Sequence, residues 1–202
     1  MSAAAFDLMM APLERSSLTT LRREVVAEAS GTVLELGAGT GVNLPYYDRS
    51  RVSSVHLTDL NPYRERILGK RREVEGGAGV DPQLQVSVAE ADVERLPFGD
   101  GSFDAVVFTL LFCSVAHPER GMREILRVLK PGSTAFFIEH VLPPAPVLAG
   151  ALHAITPAWR RVAGNCHLDR DTVGLLRKTG FRVTLKRHAA WGIFVAGSAT
   201  RE

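Results

Sequence analysis

Cysteine is scarce in this chain: its 202 residues hold two, Cys113 and Cys166, with no C-x-x-C spacing. So sparse a set excludes a disulfide framework and a cysteine-built zinc site, and it predicts reduced thiols in a cytoplasmic setting. A surplus of one charge sign is also lacking, with 24 Lys and Arg against 22 Asp and Glu. That balance gives no electrostatic footprint for nucleic acid, which is not expected as a partner. Long apolar runs are missing too. The longest candidate, Val141 to Trp159, is interrupted by Pro143, Pro144, Pro146 and Pro157, which excludes a membrane span but leaves surface contact or a pocket wall open. The opening "MSAAAFDLMMAPLER" has neither a basic n-region nor a long apolar core, so no signal peptide is expected.

What is present is an ordinary globular composition, 46% apolar and 23% charged, in one domain spanning residues 1–202 without a repeat or a linker. Residues 1–30 form a helical cover: Leu18, Leu21, Val25 and Val26 fall at helical spacing between Leu13 and Ala29, and Gly31 ends the helix. Strands are expected at Thr32–Leu36, Val52–Thr58, Leu84–Asp92, Phe103–Leu111 and "STAFFIEHV". Between them lie a helix from Pro62, whose Lys70, Arg71 and Arg72 form a solvated face, and a helix over Pro118–Lys130 stopped by Pro131-Gly132. Residues 141–168 are an insertion. A helix "RDTVGLLRKTG" follows, and then two closing strands joined around Gly192. Alternating strands and helices with a closing strand pair predict a doubly wound α/β sheet.

The first strand runs into glycines at 37, 39 and 41, a G-x-G-x-G pattern and not G-x-G-x-x-G. Gly37 and Gly39 permit a sharp turn and a close ligand. The third glycine arrives one residue early for a dinucleotide turn, and no P-loop lysine follows, so phosphate cradling is disfavoured. Glu35, just before the turn, suits a cationic ligand; its plainer role is a local capping or surface partner. Asp59 closes the second strand, the position from which a carboxylate accepts ribose hydroxyls, or else it caps the following helix.

The segments "VLELGAGTG", "HLTDLNP", "AEADVERLPFGDGSFDAVV" and "REILRVLKPGS" resemble the successive motifs of class I S-adenosylmethionine-dependent methyltransferases, nearest to the ubiquinone/menaquinone-biosynthesis type and its small-molecule relatives. The resemblance covers nearly the whole chain. It implies a mostly parallel, seven-stranded Rossmann-like sheet with a final antiparallel strand and a helical lid at 141–168. It implies S-adenosyl-L-methionine as cofactor, held by Glu35, Gly37, Ala38, Gly39, Gly41, Asn43, Asp59 and Leu60. Asp92 and Val93 would lie beside the adenine, and the backbone around Thr109 would meet the methionine end. Asp92 can equally be a loop hydrogen-bonder.

"FTLLFCSV", "EHV" and "PAWRRVAGNCHLDRDTV" are similar to segments of the alkyl-thiol S-methyltransferases and of phospholipid-type N-methyltransferases. Those thiol enzymes begin with a membrane anchor, which the first residues here do not resemble. A small, apolar acceptor is expected, a thiol ahead of an amine, lipid, quinol or phenol. Methyl transfer is an in-line displacement in which alignment matters most, and a base is needed only for a protonated acceptor. His140, after the fifth strand, is the first candidate for base or substrate ligand and His167 the second; each can also be a hydrogen-bonded structural histidine. Phe112, Cys113, Trp159 and Cys166, with Trp191, are candidate pocket walls, or core side chains. Asp169 is expected to cap the helix after it. The fourth strand ends without an acid, so no metal is expected, and Asn61-Pro62-Tyr63 lacks the second proline of a DNA-base amino-methylation motif. Competing classes are an NAD-type oxidoreductase and a silent adenosyl-ligand-binding module.

Overall fold

The computed structural model describes residues 18–61, 67 and 84–202. The expected helix from Pro62, its basic cluster and the first part of the N-terminal cover lie outside the described residues. The sheet is built from β1 (Gly31–Leu36), β2 (Val52–Asp59), β3 (Gln85–Glu90), β4 (Phe103–Thr109), β5 (Leu129–His140), β6 (Phe181–Ala189) and β7 (Phe194–Arg201), in the spatial order β3-β2-β1-β4-β5-β7-β6. The first five strands pair in parallel, and β7 runs antiparallel to both β5 and β6. β1 and β4 are buried on both faces, which is why they read as continuous apolar runs and not as alternating ones.

Helices cover both faces. α1 (Thr19–Val26) buries Leu21, Val25 and Val26 in a core with Val33, Val55, Leu57 and Ile138. α2 (Pro118–Val128) and α4 (Thr172–Thr179) cover the other face, with Met122, Ile125, Val173 and Leu176 packed on Phe108, Phe112 and Phe137. α3 (Pro146–Val162) occupies the 141–168 stretch and continues through Pro157.

β3 and β4 end at Glu90 and Thr109, two residues short of expectation, and three further boundaries differ. Gly31 does not stop α1; it opens β1 at φ +71°, because Thr32 N–H is held 2.9 Å from the Asp104 carboxylate. α2 ends at Val128 and β5 begins at Leu129, four residues earlier than expected, because Lys130 precedes a proline and is pushed towards extended backbone. The cap of α4 is Asp171, whose Oδ1 accepts Gly174 N–H at 2.7 Å, and not Asp169, which is drawn to histidines. No helix among the described residues is long and apolar enough to cross a membrane.

Candidate active site

The carboxyl ends of β1, β2, β3 and β4 meet at one edge of the sheet, where parallel folds place ligands. A cavity of about 380 Å³ opens there, in the size range of small-molecule sites. Gly37, Asp59, Leu60, Asp92 and Val93, all expected at the cofactor, line it. So do Leu36, Thr58, Ala91, Leu111, Ser114 and Gly164, which sequence reasoning missed because they are plain loop and strand-end residues. Three of the lining residues are carboxylates (Asp59, Asp92, Glu94) and none is a lysine or arginine. Such walls repel a phosphate and suit a cation.

Gly37 sits at φ +66°, and a Cβ there would lie 2.8 Å from Leu111 Cδ1. The turn it starts is tied to β2 by Asp59, whose Oδ2 accepts Gly39 N–H at 2.9 Å while Oδ1 accepts Asn61 N–H at 3.0 Å. Asp59 therefore fastens the two ligand-facing loops together, and each of its oxygens keeps a further lone pair for another donor. Ala38 N–H donates to Thr58 C=O at 3.0 Å, and Gly41 N–H to Ala38 C=O at 2.8 Å. Asp92 folds its own loop, accepting Glu94 N–H at 2.9 Å.

Glu35 does not line this cavity. Its carboxylate is 1% exposed and turned inward, with Oε1 accepting from Asn43 Nδ2 at 3.0 Å and Oε2 from the Tyr47 hydroxyl at 2.7 Å. Burial and the neighbouring Glu35 charge hold the Tyr47 phenol well above its ordinary range. Asn43 Oδ1 accepts from the buried Arg22 guanidinium, which also donates to Thr109 Oγ1 at 2.8 Å. Asn43, Thr109, Glu35 and Arg22 thus form a polar network behind the glycine turn that braces β1 against β4. Arg22 was missed. Its signal was its place among Leu18, Leu21 and Val25, on the apolar face of α1.

At the far end, β4 gives way to a turn opened by Leu110 in a left-handed conformation, φ +54°, costly for leucine. Glu139 holds that turn: its fully buried Oε1 accepts both Leu111 N–H and Phe112 N–H at 2.9 Å. Oε2 has no hydrogen-bond partner among the described residues, and burial pushes the carboxyl up to about 7 despite those backbone bonds. Glu139 was missed although an acid in "FFIEHV" is as anomalous as Glu35 in "VLEL". Arg170 clamps the same turn by donating to Phe112 C=O at 2.5 Å and Val115 C=O at 2.7 Å.

The acceptor-end candidates divide. Phe112 is a core residue, its ring edge-on to Phe108 at 5.0 Å, because the Glu139-held turn points it under α2. Trp191 is 88% exposed at the β6–β7 turn and does not line this cavity. His140 is buried against Phe194, its Nδ1 has no hydrogen-bond partner among the described residues, and burial lowers it to about 4. Such an imidazole is neutral at physiological pH and a feeble base. His167 donates its backbone N–H to Cys113 C=O at 2.7 Å, while its ring lies 3.8 Å from Asp169. Burial, with Arg170 and Arg160, lowers its pKa. Neither histidine lines the cavity. Cys113, Cys166 and Trp159 do come together. The Cys113 thiol, with the Ser114 hydroxyl and Arg170, favours an ionised Cys166 and draws it down to about 7 against the effect of burial.

The seven-stranded sheet thus carries a glycine turn and an acid-lined cavity at its carboxyl edge. The methyltransferase domain family matches residues 34–137. The chain is 34% identical to the thiol S-methyltransferase TMT1B of Rattus norvegicus over 74% of its own length and 59% of that protein. It is 30% identical to the ubiquinone/menaquinone biosynthesis C-methyltransferase UbiE of Pseudomonas putida (strain GB-1) over 80% of its length and 64% of that protein. The matches thus span about three-fifths of these relatives' length. An O-methyltransferase family protein from Burkholderia thailandensis shares the fold at a TM-score of 0.75 and 15% identity, over 98% of this chain and 59% of that one. The chain belongs to the class I S-adenosylmethionine-dependent methyltransferases. Its cofactor is S-adenosylmethionine.

Proposed function

We propose that this enzyme methylates the sulfur of a small, apolar alkyl thiol. S-adenosylmethionine supplies a methyl on a sulfonium with a good leaving group already in place. Asp59 would take the ribose hydroxyls, Leu60, Asp92 and Val93 the adenine side, and the backbone of Gly37, Ala38, Gly39 and Gly41 with that around Thr109 the amino-acid end. Asn43 and Glu35 act from behind the turn as braces. Residues 141–168 serve as a lid that shapes the acceptor end and excludes water, within a single domain.

The observation that carries the sulfur assignment is the surroundings of Cys166. The Cys113 thiol, with Ser114 and Arg170, favours a thiolate near a cavity that Ser114 itself lines. An acceptor thiol, with an ordinary pKa near ~8.5, needs only that help to ionise at neutral pH. An amine or phenol, near ~10, needs a real base, and His140 at about 4 is not one. His140 is therefore not assigned to proton abstraction. The similarity to TMT1B supports the same acceptor.

Labelled S-adenosylmethionine offered with a panel of alkyl thiols, phenols, quinols, amines and phospholipids tests the assignment. Label is expected in the thioethers, with a rate that rises with thiol ionisation. Turnover of an oxygen, nitrogen or carbon acceptor with no thiol methylated would overturn it.

A further inference from the structure

The chain's two cysteines lie 53 positions apart and meet at the acceptor end. Three contacts bring them together: His167 N–H on Cys113 C=O at 2.7 Å, Asn165 Nδ2 on Ser114 C=O at 3.2 Å, and Arg170 on the carbonyls of Phe112 and Val115. The first of these bonds joins the backbone beside Cys166 directly to that of Cys113 and makes the two residues close neighbours. Cys113 is buried, whereas Cys166 is partly exposed; neither lines the cavity, but Ser114 beside Cys113 and Gly164 two residues before Cys166 do. One thiol is thus open to small molecules, and the other is enclosed.

We propose that Cys166 and Cys113 form a dithiol that reduces small-molecule disulfides at the acceptor end and releases the thiol that becomes the methyl acceptor. The Cys166 thiolate attacks one sulfur of R–S–S–R, forming Cys166–S–S–R and expelling RS⁻. The Cys113 thiol, losing its proton to the departing thiolate, attacks Cys166 Sγ, forms the Cys113–Cys166 disulfide and expels the second RS⁻. Two cysteine thiols are oxidised and one disulfide is reduced to two thiols. A low-molecular-weight monothiol, itself converted to its disulfide, returns the pair to the dithiol. The order of attack follows exposure: Cys166 is partly exposed and can meet the disulfide, whereas Cys113 is buried. This inference rests on the alkyl-thiol reading above.

The test mixes reduced full-length enzyme with a symmetric alkyl disulfide and no other reductant. The wild type is expected to release a stoichiometric burst of thiol, lose both free cysteines and fall in mass by two hydrogens, with Cys113–Cys166 found by peptide mapping. C113S should stop at a mixed disulfide on Cys166, and C166S should lose the burst. Melting curves and cofactor titration establish that both variants are folded. A burst that survives in C166S, or wild type that stays fully reduced, overturns the proposal. Labelled S-adenosylmethionine then separates the two readings. Methylation of free thiol with none from the disulfide sinks the exchange alone, whereas exchange with no methylation of either sinks the proposed function and, with it, the delivery role.

Discussion

At Gly37 two constraints fall on one residue: a left-handed φ, and Leu111 Cδ1 standing 2.8 Å from where a Cβ would be. Gly37→Ala should lower S-adenosylmethionine affinity by roughly tenfold or more, about 1.4 kcal/mol, read by calorimetric titration; unchanged affinity would refute the cradle. Glu139 offers a test in pH. Its folded pKa of about 7 lies above the ordinary 4.5, so between those values the native chain binds more protons than the unfolded one. Its contribution to stability therefore declines as pH rises through that window and flattens above it. The shift corresponds to on the order of 3 kcal/mol. His140 has the opposite sign, since its pKa is lowered from 6.5 to about 4 and stability is lost as pH falls through that interval. Glu139→Gln keeps an acceptor for Leu111 and Phe112 and removes one titration only. The melting temperature of the variant should gain on wild type between about pH 5 and about pH 8, and a gap independent of pH would refute the assignment. Both acids were visible as charges inside apolar strands. Their partners were not, since Glu139 reaches back 28 and 27 positions to Leu111 and Phe112.

α2 does more than cover the sheet. Arg127 in its last turn donates to Phe98 C=O at 2.7 Å, Leu96 C=O at 3.1 Å and Asp100 Oδ1 at 2.9 Å, and Glu124 accepts Leu96 N–H at 2.7 Å. These bonds fix the loop that runs from the cavity residues Asp92 and Val93 to β4. Arg127→Ala should cost about 1–3 kcal/mol in urea unfolding, because it leaves part-buried carbonyls unsatisfied. Arg127→Lys should rescue little, since an ammonium cannot reproduce the fork; full rescue would reduce the role to charge. At this scale the sequence marked helix faces well and helix ends poorly. Leu129 fits the apolar stripe of α2, yet the restriction before Pro131 wins and makes it the first residue of β5. Asp169 and Asp171 are equally good caps by composition. Only the pull of His153, 3.0 Å from Asp169, decides between them.

For the molecule as a whole, alternation of strand and helix sufficed for the doubly wound sheet, and the closing strand pair announced the change of direction at β7. The acceptor end stayed illegible for a physical reason. Its polar contacts join residues such as Arg170 and Phe112, 58 positions apart, and no local pattern records such a pairing. β7 also has a temporal meaning. It fills the slot between β5 and β6, and it pairs Val195 with Glu139 and Phe194 with His140. The ribosome therefore completes every earlier strand before the piece that seats the acceptor end exists. Until then the inner edge of β5 is an open template for other strands. Chains halted before Phe194 should aggregate and bind no cofactor, and a peptide of residues 194–202 supplied in trans should suppress that aggregation, read by light scattering.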